Sequence, residues 1–173
     1  AEHQPSPFTR TGPGINGMVK PELVDYGGNL ILSQEFGRVR VNNGGKMPIL
    51  SWQYPDKLFA MDLGSSFSAP KVARSCALVS NSYPDKSANF IKNLVLQSAH
   101  YPEPLDKTFW QAKKKDEAEL KRLMSIGYGV PNHAKAISSF NNRVLFFDES
   151  SIQVDQAKVF KIDLPDSFFA TKG

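Results

Sequence analysis

The stretch Gly64-Ser65-Ser66-Phe67-Ser68-Ala69-Pro70 determines how this sequence is interpreted. It places serines among small residues at the start of a predicted helix, with the proline in the first turn, where no intrahelical donor is needed. The N-terminus of a helix has unpaired N–H groups and a positive dipole end, which stabilise negative charge developing beside a serine oxygen. Gly64 would let another backbone approach closely. The pattern suits a nucleophilic serine, and the alternative is an ordinary serine N-cap.

Three further segments surround this stretch in a fixed order. They are Phe8-Thr9-Arg10-Thr11-Gly12-Pro13, Lys20-Pro21-Glu22-Leu23-Val24-Asp25-Tyr26-Gly27-Gly28 and Gly127-Tyr128-Gly129-Val130-Pro131-Asn132-His133-Ala134-Lys135-Ala136. Together with residues 64–73 they resemble four motifs of the subtilisin-like serine proteases. These motifs are Phe-Ser-x-x-Gly-Pro, Lys-Pro-Asp-(Ile or Val)-x-Ala-Pro-Gly, Gly-Thr-Ser-x-(Ala or Ser)-x-Pro-x-Val-Ala and Gly-x-Gly-x-(Val or Pro)-Asn-x-x-x-Ala. The resemblance covers residues 8 to about 140.

The resemblance implies specific roles for the residues around the nucleophile motif. Ser66 corresponds to the catalytic serine, and Gly64 and Ser65 would lie next to the substrate and the oxyanion. Ser65 stands where the family usually has threonine, which is a conservative departure. Asp25 and Tyr26 stand where alanine and proline are usual, so the loop there is expected to differ.

The other catalytic residues of the family have no counterpart in this sequence. In the family, the Asp, the His and the oxyanion Asn precede the serine, but only 65 residues precede Ser66. The sequence contains neither Asp-(Ser or Thr)-Gly nor His-Gly-Thr, and Asn16 and Asn29 do not lie in the Asn motif. A serine hydroxyl without a base is a weak nucleophile. We therefore expect the C-terminal portion of a serine endopeptidase, inactive by itself; the alternative is a non-catalytic binding or assembly module.

The expected fold is α/β. The resemblance implies that residues 1–140 form the C-terminal part of a three-layer domain with a mostly parallel sheet. Residues 141–173 would begin a β-rich extension. A half-domain exposes strand edges and apolar faces, so the expected partners are the missing N-terminal half of the same protein, a second copy, and a peptide or protein substrate.

Composition sets further limits on function. Lysine and arginine number 21 against 17 acidic residues, so the net charge is only +4, and we expect no nucleic-acid partner. The single cysteine, Cys76, excludes an internal disulfide or a zinc site made of cysteines, and its place on an apolar helix indicates a core position. No cofactor and no membrane partner are expected. A cytoplasmic location is slightly favoured, although residue 1 is expected to lie inside the parent protein.

Local patterns predict the remaining elements. Helices are expected from Ser66 to about Asn81, closed by Tyr83-Pro84-Asp85, and from about Phe90 to 99, capped by Asp85 or Ser87. Short strands are expected at 23–24 and 30–32. The sequence Asn42-Asn43-Gly44-Gly45 predicts a hairpin turn between strands around Val39 and Ile49. Beyond residue 140, alternating residues predict strands at 143–147 and 159–164.

Other conspicuous residues have an ordinary interpretation. The charged run from Lys113 to Met124 indicates a solvated helix face with a Glu117–Lys121 pair rather than a nucleic-acid site. Trp52 and Tyr54 are expected either to form pocket walls or to pack internally. His3, His100 and His133 lie in no catalytic motif and are expected to be satisfied or solvent-facing. Any of them would have to fold next to Ser66 to act as a base.

Overall fold

The computed structural model describes residues 4–33, 37–40, 43–103, 115–139 and 144–164. The helices in these ranges are α1 (Ser65–Ser82), α2 (Ala88–Ser98), α3 (Lys115–Ile126) and α4 (His133–Ile137). The strands are β1 (Ile31–Ser33), β2 (Arg38–Arg40), β3 (Met47–Leu50) and β4 (Phe59–Asp62). Short 3₁₀ segments occupy Ile15–Gly17 and Asn43–Gly45. None of the helices in the described part of the chain is long and apolar enough to cross a membrane.

The first two helices confirm the predictions for residues 66–99. The N–H of Tyr83 donates to the carbonyls of Val79 and Ser80, at 3.2 and 3.1 Å, and closes α1. Ser87 caps α2, because its Oγ accepts the N–H of Phe90 at 3.1 Å. Of the two candidate caps, the serine was therefore the correct one. The cap satisfies an N–H group that the helix itself leaves unpaired.

The hydrophobic core lies between α1, α2 and α4. It consists of six buried side chains, with five half-buried ones packed against them. The buried set is Val79, Phe90, Ile91, Leu94, Val95 and Ala136, and the partly buried set is Leu23, Cys76, Tyr83, Ile137 and Leu145. The core position predicted for Cys76 is confirmed. The buried residues of α2 recur three and four positions apart, which places one face of that helix against its neighbours.

Most charges of helix α3 lie in solvent, as predicted, except that Arg122 is half-buried against the Tyr101 ring. Lys115, Asp116, Glu117 and Lys121 are all exposed. Among the ion pairs of the described residues, none joins Glu117 to Lys121, so this predicted pair is wrong. Two long side chains in water gain little from such a contact and lose rotamer freedom by making it.

The described strands form two separate antiparallel pairs, β1 with β2 and β3 with β4. The predicted hairpin across Asn42–Gly45 is wrong, because β2 and β3, on either side of it, do not pair with each other. The chain passes through the 3₁₀ segment Asn43–Gly45 and pairs with β4 instead. The mixture of helices and strands agrees with an α/β protein. The mostly parallel sheet and the three layers stay predictions.

Residues 23–24 form no strand, contrary to prediction. The segment instead exchanges single hydrogen bonds with a glycine turn: Tyr128 N–H donates to the Glu22 carbonyl at 2.9 Å, and Val24 N–H donates to the Gly129 carbonyl at 3.0 Å. Gly127 and Gly129 have φ of +56° and +101°. A partner with this conformation cannot continue a strand ladder, because its backbone is not extended.

The strands predicted beyond residue 140 are also wrong within the described part, since residues 144–164 contain none. Residues 150–164 are exposed throughout. An alternating sequence becomes a strand only where another strand accepts its backbone hydrogen bonds. The start of the segment is anchored by its side chains. Leu145 packs against the core, and Glu149 accepts hydrogen bonds from Ser87. Phe147 meets Tyr83 and Phe90 edge to face, at 5.3 and 5.1 Å between ring centroids. The domain boundary near residue 140 stays a prediction.

Candidate active site

Ser66 is the second residue of α1, and its side chain is exposed. The residue before the helix, Gly64, has φ 152° and ψ 161°, a conformation that essentially only glycine adopts. Its N–H donates to the Gly27 carbonyl at 2.7 Å, and its carbonyl accepts the Phe67 N–H at 3.1 Å. Gly64 is thus held from both sides, and this fixes the turn that presents Ser65 and Ser66.

The first turn of α1 leaves hydrogen-bond donors free. Gly64 has no side chain with which to cap the helix. Among the described residues, no acceptor binds the N–H groups of Ser65 and Ser66, and no group binds the Ser66 hydroxyl. The neighbouring Ser68 hydroxyl donates to the Ser65 carbonyl at 3.0 Å. An N–H at a helix N-terminus, next to an exposed hydroxyl, has the arrangement needed to stabilise an oxyanion formed by attack of that hydroxyl.

Pro70 occupies a different position from the one expected. Because α1 begins at Ser65, Pro70 is its sixth residue and lies inside the helix rather than in its first turn. A helical residue at this position would donate its N–H to the carbonyl of Ser66, four residues earlier, and proline has no such group. The prediction that Pro70 replaces no intrahelical donor is therefore wrong. The Ser66 carbonyl lacks its helical partner, and hydrogen bonding in the helix is weakened next to the serine.

Backbone hydrogen bonds bring the four motifs of the sequence together. Gly12 N–H, from the first motif, donates to the Met124 carbonyl at 2.7 Å, just before the closing segment. The second motif binds the closing segment through Glu22 and Val24, as described above. It also binds the nucleophile motif through the contact between Gly27 and Gly64. A Cβ atom on Gly27 would collide with the Gly64 carbonyl, so the two backbones approach as closely as only glycine permits.

The closing segment is joined to α2 and to the hydrophobic core through Asn132 and Ala136. Asn132 caps α4 by accepting the Lys135 N–H at 3.1 Å, and its own N–H donates to the Ser98 hydroxyl at 3.1 Å. Ser98 is buried on α2 and donates to the Val95 carbonyl at 2.7 Å. Ala136, four residues after the Asn, is almost completely buried in the core. The Asn and the Ala of this motif therefore act as a helix cap and a core contact.

Lys71 holds the loop in which the sequence departs from the family. From the second turn of α1, its Nζ donates to the Tyr26 carbonyl at 2.8 Å and lies 3.8 Å from Asp25 Oδ1. The ammonium also lies 6.0 Å from the centre of the Tyr26 ring. Burial, and secondarily the charge of Asp25, raise the pKa of the Tyr26 hydroxyl. The Asp25-Tyr26 pair thus has a partner on α1 that ties this loop to the helix carrying Ser66. Sequence reasoning missed Lys71, since contacts 45 residues apart leave no local pattern.

A cavity of about 830 Å³ lies next to the turn before α1. Its walls include most of residues 4–10, 21–29 and 44–47, the helix start with Gly64 and Ser65 but not Ser66, and Pro102, Ile126 and Val130. Both side-chain polar atoms of Gln4, in this wall, are buried without a hydrogen-bond partner among the described residues. A buried amide without partners is costly, which is a reason to expect a further polar group in this cavity.

No histidine in the described part of the chain makes a hydrogen bond to Ser66. His100 is exposed, and its backbone bridges to Val130. His133 begins α4, and His3 lies outside the described residues. No cluster of three or more His, Cys, Asp and Glu side chains in the described ranges could hold a metal ion. Trp52 and Tyr54 do not line the cavity and are largely exposed, so neither of their two expected roles is met.

Comparison with known proteins identifies the class. The chain matches the subtilase family over residues 1–129, and it belongs to that family. An uncharacterized protein of Sinorhizobium fredii (strain NBRC 101917 / NGR234), y4bN, is 33% identical over 174 residues. The match covers 96% of this chain but 38% of that protein, so the chain spans less than half the length of this relative. No solved structure matches the chain.

Proposed function

We propose that this chain is part of a serine endopeptidase of the subtilisin type, with Ser66 as its nucleophile. The observation that carries the proposal is the geometry at the start of α1. Ser66 is exposed on the first turn, behind a glycine in a glycine-only conformation, within the motif shared with the subtilase family. An ordinary N-cap serine would sit before the helix and accept an N–H of its first turn, whereas Ser66 sits inside it.

The chemistry follows from this placement. Ser66 Oγ attacks the scissile carbonyl carbon, and its proton passes to an imidazole base. The Ser66 N–H donates to the resulting oxyanion, together with an amide side chain. The carbon–nitrogen bond then breaks, the imidazole returns the proton to the leaving amine, and an ester on Ser66 remains. Water hydrolyses the ester with the same base, and the serine is restored.

The base, its orienting carboxylate and the second oxyanion donor come, in this proposal, from sequence upstream of these 173 residues. Three observations support the need for added polypeptide. The N–H groups of Ser65 and Ser66 lack acceptors in the described structure, the Gln4 amide is buried without partners among the described residues, and a cavity of about 830 Å³ is lined by both Ser65 and Gln4. The relative is also much longer than this chain. The chain by itself is therefore proposed to be inactive.

Covalent labelling with a fluorophosphonate probe tests the proposal. The probe is applied to the 173-residue chain and to the same chain joined to its native upstream sequence, and the modified residue is found by peptide mass spectrometry. We expect the extended protein to be labelled on Ser66 and the short chain to remain unlabelled, because a serine without a base reacts slowly.

Matched serine variants separate chemistry from folding. Ser66→Ala in the extended protein should abolish labelling. Ser65→Ala and Ser68→Ala, on the same turn, should retain most of it, and circular dichroism should show equal helix content in all three. If the extended protein is folded but never labelled, the catalytic proposal fails. The non-catalytic binding or assembly module then becomes the better account.

A further inference from the structure

The hairpin formed by β3 and β4 has an unusual outer surface. In its register, Pro48 faces Met61 and Leu50 faces Phe59, and paired residues of an antiparallel ladder lie on the same face. All four side chains are exposed. The alternation continues past the strand: Ser51 is buried and Trp52 is exposed to 88%. We call these five exposed residues, Pro48, Leu50, Trp52, Phe59 and Met61, the outer face of the hairpin.

The opposite face is directed inward and is also mostly apolar. Met47, Ile49 and Ala60 are half-buried, and only Asp62, at the end of the ladder, is charged. A hairpin with one solvated face ordinarily carries polar residues on that face. Here both faces are apolar, which is the pattern of strands covered on both sides. The outer face carries no charge that would keep it in water.

The exposed side chains are held in place. Ser51 N–H donates to the Leu58 carbonyl at 2.9 Å and extends the ladder by one step. At the tip, Gln53 N–H donates to Ser51 Oγ at 3.0 Å, and Lys57 N–H donates to the Gln53 carbonyl at 3.1 Å. Trp52 therefore projects from an ordered turn, and covering it costs little further ordering of the backbone.

We propose that a second copy of this chain covers the outer face, with the two hairpins packed face to face about a two-fold axis. An apolar surface without charged side chains among its five residues can pack against a copy of itself, as a two-fold interface requires. Two sheets packed in this way lie about 10 Å apart and bury their facing side chains. The second hairpin thereby supplies the cover that an isolated two-stranded sheet lacks.

The exposed area reaches the lower end of what a specific dimer buries. The five side chains of the outer face leave roughly 600 Å² of mostly apolar surface in water, given about 150–250 Å² for a whole aromatic side chain. That is about one partner's share of the smallest standard interfaces, which bury about 1,200 Å² in total. A single extended peptide would cover only part of a face two strands wide. A lipid surface is less suited, because the flanking charges have both signs, with Asp56 and Asp62 near Lys46 and Lys57.

Charge complementation tests the proposal on the 173-residue chain. Leu50→Lys with Phe59→Lys places two positive charges on the outer face, and Leu50→Glu with Phe59→Glu places two negative ones. Sedimentation velocity across a micromolar concentration series should show a dimer for the unsubstituted 173-residue chain. Each double variant should be monomeric, and an equimolar mixture of the two should restore the dimer. The substituted side chains are exposed, so circular dichroism should be unchanged.

The control uses apolar residues that are even more exposed but lie elsewhere. Val154→Lys with Val159→Lys changes two side chains that are each 90% exposed, and it should leave the dimer intact. The proposal would be overturned if the unsubstituted 173-residue chain were monomeric. It would also be overturned if both hairpin double variants remained dimeric. If the unmodified chain is monomeric and the Trp52 emission, measured in a Trp110→Phe background, shifts to the blue with anionic vesicles or with an unfolded polypeptide, that partner covers the face instead. Labelling of Ser66 is measured separately, so failure of the dimer leaves the catalytic proposal unaffected.

Discussion

The helical frame and the β3–β4 hairpin are both rich in apolar residues, but they differ in where those residues lie. In the frame of α1, α2 and α4, Leu94 and Val95 are at most 3% exposed. On the hairpin, Leu50 is 75% exposed and Trp52 more so. The frame satisfies its own polar ends with caps such as Ser87 and Asn132. The hairpin has an apolar face that only another surface could cover.

This difference indicates that the two regions have different roles: the frame determines the fold around Ser66, and the hairpin presents a surface to the outside. The frame positions the turn before Ser66, and its motifs contact one another through short backbone hydrogen bonds between described residues. The hairpin leads directly into that turn, since β4 ends at Asp62 and α1 begins at Ser65. Its outer side chains contribute little to folding and are available for association. Stability should therefore depend on the frame, and assembly on the hairpin.

The strongest test of this contrast compares two leucines. Leu94→Ala removes a side chain from the centre of the core and should lower the free energy of unfolding by about 3 kcal/mol, through lost burial and the cavity left behind. Leu50→Ala should change it by less than about 0.5 kcal/mol, as is usual for exposed sites. Urea unfolding of both variants, at the lowest workable protein concentration to limit association, measures the difference. Equal losses would mean that the hairpin is part of the core.

A smaller effect is expected where two motifs meet. Gly127 has φ +56°, and a Cβ atom there would collide with the carbonyls of Pro21 and Glu22. Gly127→Ala should therefore cost about 2 kcal/mol, from backbone strain and from displacement of the second motif. Gly17 is the matched control, because its φ is +76° with open space around it. Gly17→Ala should cost only about 1 kcal/mol, the strain alone. If both cost the same in urea unfolding, the close contact between the motifs does not contribute.

Much of the frame could be predicted from the sequence, because local signals determine it. The helix boundaries follow from apolar periodicity and from the Ser87 cap, and the place of Ser66 follows from its motif. The turn sequence around Asn43–Gly45 wrongly predicted a hairpin, because strand pairing depends on partners that the local sequence does not specify. The alternation in residues 144–164 misled for the same reason: no strand in the described structure pairs with it.

The surroundings of the candidate site were less accessible to prediction. The position of Pro70 in α1 depends on where the helix begins, and with α1 starting at Ser65 it is the sixth residue, beyond the first turn. Lys71 acts on Asp25 and Tyr26 across a long sequence separation, which no local spacing reveals. The outer face of the hairpin could have been noticed, because Pro48, Leu50 and Trp52 alternate along the chain. The alternation alone did not show that this was the exposed side.

The smallest expected effect concerns an ion pair that ties the second motif to α2. Glu22 lies 2.7 Å from Lys92 Nζ and 3.3 Å from Lys20 Nζ. The hydrogen bond from Lys92 is the main cause that lowers the pKa of Glu22 below its ordinary 4.5, and Lys20 adds to it against the opposing effect of burial. Because the folded-state pKa is the lower one, the stabilisation is complete above the ordinary pKa. It is lost as the pH falls through the folded-state value.

Glu22→Gln should therefore lower the free energy of unfolding by about 0.5 kcal/mol near neutral pH, the size expected of a largely exposed pair. The difference from the parent chain should shrink towards zero well below the ordinary pKa, where Glu22 is protonated in both states. Glu119→Gln is the control, since Glu119 is exposed on α3 beyond its first turn and has no ion pair among the described residues. It should show almost no difference at either pH. Urea midpoints across a pH series measure the stability difference of each variant from the unsubstituted chain. If the difference for Glu22→Gln persists in acid, packing rather than charge makes this contact stabilising.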